Sequence, residues 1–94
     1  EKQVQNQYRK LAHINKNHIE FDLKEIRKED IAIQKRLINK AISVLSESQN
    51  NVSKVNIDDV IKMIERNVGN KTIKINKKIE ILIKNKKIFI NLVH

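Results

Sequence analysis

Apolar residues along the 94-residue chain follow two different periods, and the switch between them divides the sequence. In residues 2–13, KQVQNQYRKLAH, Val4, Tyr8, Leu11 and Ala12 share one stripe at helical spacing, which predicts a first helix. In NKNHIEFDLKEI, Ile19, Phe21 and Leu23 alternate, as in an extended segment. Asp22 then stands where an N-cap would, ahead of a short helical turn that buries Leu23 and Ile26. Residues 31–45, IAIQKRLINKAISVL, place Ile31, Ile33, Leu37, Ile38, Ala41, Ile42, Val44 and Leu45 at helical spacing, with Asp30 as the expected cap. The polar segment 46–56, SESQNNVSKVN, has no period and reads as a loop. Asn56 is the expected N-cap of IDDVIKMIERNV, whose Ile57, Val60, Ile61, Ile64 and Val68 fall on one face. Asp58 and Asp59 suit the positive end of that helix. Gly69, the only glycine, stands where a left-handed C-terminal cap is expected.

From Lys71 the period becomes two. Ile73 and Ile75, then Ile79, Ile81 and Ile83, then Ile88, Ile90 and Leu92 define the inward faces of three β-strands. A two-residue turn at Asn85-Lys86 sets Ile83 opposite Ile88, Ile81 opposite Ile90 and Ile79 opposite Leu92, with Leu82 and Phe89 paired on the reverse face. Side-chain parity requires three residues, Asn76-Lys77-Lys78, in the preceding turn, because a two-residue loop would turn one strand's isoleucines outward. The predicted fold class is therefore α+β: about three helices and a short turn over residues 2–68, packed on one face of a three-stranded antiparallel meander over 71–93. The last strand is a candidate sheet edge, with Lys86 and Lys87 discouraging pairing with a neighbour.

At this length the chain makes one domain with a single modest core. It opens on Glu1 and its single methionine is Met63, so it reads as a piece of a longer protein. It has no cysteine, which excludes disulfides and thiolate zinc sites and fits a reducing, cytoplasmic setting. No apolar run approaches the length of a membrane span. The formal net charge is +9, which points to an anionic partner. Ile, Lys and Asn are all abundant, a bias that itself raises lysine content, so placement matters more than the sum. Residues 71–94 hold seven lysines and one glutamate, and the helix over 31–45 carries Lys35, Arg36 and Lys40 with no acid.

Catalytic chemistry finds little support. One glycine cannot build a phosphate-cradling loop. His13, His18 and His94 lack the spacing of metal ligands, Asp58 and Asp59 are explained by a helix start, and the serines have no histidine at a recognisable partner position. Three aromatics, Tyr8, Phe21 and Phe89, make a poor base-stacking platform, so lysine and arginine without aromatic interleaving suit phosphate contact on folded or double-stranded nucleic acid.

The segment FDLKEIRKEDIAIQKRLINKAISVL resembles the middle, substrate-binding domain of bacterial tRNA(Ile)-lysidine synthetases. In that family an aliphatic lead-in precedes a helix that begins with a Gln-basic-basic-aliphatic motif, here Gln34-Lys35-Arg36-Leu37. The later order is similar too: a helix (IDDVIKMIERNV), Gly69-x-Lys71, then the strands TIKIN, IEILIK and KIFINLV. The resemblance spans roughly residues 8–93. The chain departs from the family at Asp30, where proline is common, and at Asn76-Lys77-Lys78 and Asn85-Lys86-Lys87, where the family has Pro-Gly or Gly-Gly and an aromatic.

The resemblance implies that the parent enzyme uses ATP to adenylate the wobble cytidine of a CAU-anticodon isoleucine tRNA and then attaches lysine. ATP and magnesium would bind an N-terminal PP-loop domain with a Ser-Gly-Gly-x-Asp-Ser motif, which this chain lacks, leaving no cofactor here. The expected role is non-catalytic positioning of tRNA, with Lys35, Arg36, Lys40, Lys71, Lys74, Lys77 and Lys78 as the phosphate-contacting residues. The alternative is a basic DNA-binding or protein-docking module of an unrelated parent. The long segment between the helices argues against a helix-turn-helix, which needs a tight turn.

Overall fold

The computed structural model describes residues 2–46, 54–66, 69–75 and 78–93. Among these residues, four helices, α1 (Lys2–Leu11), α2 (Leu23–Arg27), α3 (Ile31–Ser46) and α4 (Lys54–Arg66), accompany five strands: β1 (Ala12–Ile14), β2 (His18–Asp22), β3 (Lys71–Lys74), β4 (Ile79–Lys84) and β5 (Lys87–Leu92). The strands form one antiparallel sheet in the order β1-β2-β5-β4-β3. The α+β class holds, and the meander grows into a five-stranded sheet.

The β4–β5 register pairs Ile79 with Leu92, Ile81 with Ile90, Leu82 with Phe89 and Ile83 with Ile88, as the alternation requires. Ile73 faces Ile81, and the Ile75 amide donates to the Ile79 carbonyl at 2.9 Å. Three residues therefore separate Ile75 from its partner Ile79, though of these only Lys78 is among the described residues.

Four expectations are corrected. The range 2–68 is not purely helical, because α1 ends at Leu11 and Ala12–Ile14 pairs as β1 with Ile19–Phe21. Ala12 fits the helical stripe, yet with Ile14 it also fits a strand's alternation, and the hairpin partner decides between them. β5 is the centre of the sheet and not an edge, since β2 pairs along its whole length, Ile19 opposite Ile90 and Phe21 opposite Ile88. Asn56 is not an N-cap: α4 starts at Lys54, because no glycine or proline interrupts the segment before its apolar stripe. Gly69 has no positive φ. Asn70 takes the left-handed conformation at φ 53°, which asparagine tolerates better than most residues. The side chains of Val4 and Asn56, the central part of the expected loop 46–56, and Val68, Asn76, Lys77 and His94 lie outside the described residues.

One sheet face carries the core. Ile19, Phe21, Ile79, Ile81, Ile83, Ile88 and Ile90 pack against Leu37, Ile38, Ala41 and Ile42 of α3 and Ile57, Val60, Ile61 and Ile64 of α4. Asp22 caps α2 by accepting from the amides of Lys24 and Glu25, and Leu23 and Ile26 are buried as expected. Buried Gln34 fixes the α2–α3 elbow: its Nε2 donates to the Glu29 carbonyl at 2.9 Å, while its own amide donates to the Asp30 carbonyl. Gln7 of α1 donates to both Glu29 carboxylate oxygens and ties α1 to the same elbow.

Candidate nucleic-acid interface

Helix α3 buries Gln34, Leu37, Ile38, Ala41 and Ile42, which leaves Ala32, Arg36, Asn39 and Ser43 at its exposed crest. Lys35 and Lys40 stand on opposite flanks of that crest. Lys35 Nζ lies 3.1 Å from Asp58 Oδ1, so α4 supplies the carboxylate that α3 lacks. Both side chains are more than a third exposed, so the pair holds the two helices only weakly. Lys40 Nζ sits 5.3 Å from the centre of the Tyr8 ring on α1, a cation–π contact. The basic face is thus a ridge with Arg36 on top and a lysine on each slope, each turned toward a neighbouring helix.

The β3 residues do not join this ridge as one surface. Lys71 and Lys74 alternate along the strand and point to opposite faces of the sheet. Lys71 lies on the helix side, where it lines a shallow depression with Asp59, Lys62, Met63, Arg66 and Ile73. Lys74 lies on the open side, opposite Glu80. Lys78 is exposed in the β3–β4 loop, and its carbonyl accepts from the Val93 amide. Lys77 lies outside the described residues.

The open face of the sheet carries one cross-strand row of His13, Glu20, Phe89, Leu82 and Thr72. His13 and His18 stand on β1 and β2. The His18 ring is 6.0 Å from Phe89, and Asn15 Nδ2 lies 3.1 Å from His18 Nε2. Tyr8 and Phe21 are both buried, packed edge to face at 6.3 Å, so Phe89 is the one Phe or Tyr ring on this face. Among the described residues there is no group of three or more His, Asp or Glu side chains that could hold a metal ion. No helix among them is long and apolar enough to cross a membrane.

Burial raises the Tyr8 phenol above its ordinary pKa of 10.0, because the ionised form would sit in an apolar setting. Its hydroxyl has no hydrogen-bond partner among the described residues.

Sequence pattern did not single out a further set of cations. Lys24, Arg27 and Lys28 of the α2 segment meet Lys86 of the β4–β5 turn around a concavity of about 450 Å³ that Leu23 also lines. The two stretches are far apart in sequence, and only the β2–β5 pairing brings them together. The one local signal was a lysine in a turn position that favours glycine. Comparison with known proteins returns no matching family model, no matching curated relative and no matching solved structure.

Proposed function

We propose that this chain is a non-catalytic tRNA-binding domain of a tRNA(Ile)-lysidine synthetase, which holds a CAU-anticodon isoleucine tRNA while a PP-loop domain does the chemistry. The observation that carries the reading is the α3 ridge: a helix with no acid of its own presents Arg36 outward, with Lys35 and Lys40 beside it. Phosphate contact needs such exposed cations on a rigid element and no precise base pocket. The order of motifs along the sequence supplies the family. ATP and magnesium belong in this reading to the PP-loop domain, since a single glycine leaves no phosphate-cradling loop here. The setting is the cytoplasm, where tRNA is modified.

The test is the double substitution Lys35→Ala with Arg36→Ala. Because the Lys35–Asp58 pair is weak, the fold should survive. RNA affinity should fall, and the slope of log affinity against log salt should flatten by about one unit per lost phosphate contact. Unchanged affinity and slope in a folded variant would remove α3 from the RNA surface.

A protein-docking role is the competing reading, favoured by Ile14, which is 61% exposed on edge strand β1. It predicts binding that is insensitive to salt.

A further inference from the structure

The β4–β5 hairpin breaks two local rules at one end. Asn85 and Lys86 form its two-residue turn with φ 54° and 62°, the pattern of a type I′ turn. Asparagine suits the first of these positions, and glycine is strongly favoured at the second. A lysine there places its Cβ against its own backbone, a strain that glycine would not carry. Directly beside the turn, Lys84 and Lys87 are cross-strand partners, and like charges opposite one another repel. Strained backbone and unfavourable charge at one spot point to a role beyond folding.

The surroundings indicate that role. The Leu23 amide donates to the Lys86 carbonyl at 3.0 Å, which pins the turn against the start of α2. Lys86 thereby joins Lys24, Arg27 and Lys28 around the concavity. Two nearby carboxylates are already engaged: Asp22, the cross-strand partner of Lys87, caps α2, and Glu25 lies 3.5 Å from Lys28 Nζ at the surface. Arg27 is oriented by donation from Nη2 to the Glu65 carbonyl of α4 at 3.5 Å. Four cations from two elements thus surround one concavity, with Lys84 and Lys87 flanking the turn.

We infer that this cleft binds a phosphodiester group of the RNA backbone, as a second contact separate from the α3 ridge. The inference rests on the RNA-binding reading. It assigns Lys86 a charge-placing role that accounts for a lysine where a turn prefers glycine. Lys24 and Lys28 supply point charges, while the guanidinium of Arg27 offers planar donors suited to paired phosphate oxygens.

The experiment measures tRNA binding by the 94-residue chain over a series of salt concentrations, together with its melting temperature. Two variants are compared with it, Lys86→Gly and the double Lys24→Ala/Arg27→Ala. Lys86→Gly should raise the melting temperature by a few degrees through relief of the left-handed strain. At the same time it should flatten the salt slope by about one unit, and the double variant by about two. Raised stability with weakened binding is an outcome that a purely structural lysine would not give. If the parent chain binds tRNA with a salt slope that neither variant changes, the cleft assignment is overturned and the RNA reading stands. If the parent chain does not bind tRNA at all, both fall. A lower melting temperature for Lys86→Gly would overturn the claim that the lysine is held there under strain.

Discussion

Tyr8 shows how one residue serves the core and the surface at once. Its ring packs against Phe21 from within and carries Lys40 above it, so a single side chain anchors α1 and steadies a cation of α3. Its hydroxyl, buried without a partner among the described residues, gives little in return for its desolvation. Tyr8→Phe keeps both ring contacts and should raise stability by about 1 kcal/mol, read by urea denaturation. Above the ordinary tyrosine pKa of 10.0 the unfolded chain releases the Tyr8 proton before the folded one does. The folded state then binds more protons, and stability must fall as pH rises through that window. The phenylalanine variant should lose less stability than the parent chain across the same alkaline range. Equal losses would show that Tyr8 does not titrate differently in the two states.

At the scale of elements, the sequence was informative wherever partners are close along the chain. The β4–β5 register, the parity of the β3–β4 loop and the Asp22 cap all follow from alternation, turn length and residue chemistry within a few positions. What the pattern could not show was the pairing of β2 with β5, because Ile19 and Ile90 meet across most of the chain length. A strand's own alternation gives its buried face but not its neighbour in the sheet. β1 was hidden for a different reason, since three residues are too few for either period to assert itself. Ile90 tests the resulting architecture: it lies on the central strand, fully buried, opposite Ile81 on one side and Ile19 on the other. Ile90→Ala should cost about 2–5 kcal/mol, whereas an edge position in a three-stranded meander would collapse more readily and lose less. A loss well under that range would contradict a central β5.

For the whole molecule, the sheet divides the surface into a helical side and an open side, and the cations are distributed over both. The seven positions expected from sequence were chosen by local charge, so the α3 group and the β3 group were joined without knowing that α4 stands beside both. Asp58 reaches Lys35, while Asp59 shares the depression that Lys71 lines. The Lys24–Arg27–Lys28–Lys86 cluster was not legible, since it depends on the same long-range pairing that hid β2 from view. At least two cationic contacts, the α3 ridge and the α2–hairpin cleft, should therefore engage one folded RNA.

Binding of the 94-residue chain to CAU-anticodon isoleucine tRNA, elongator methionine tRNA and a duplex DNA of equal charge, over a range of salt concentrations, separates a tRNA-binding domain from a general polyanion surface. A tRNA-binding domain should show salt-sensitive binding that is tighter for tRNA than for DNA, with the isoleucine tRNA preferred if the domain reads as well as holds its substrate. Equal affinity for all three polyanions, or no binding at moderate salt, would contradict the tRNA-binding reading.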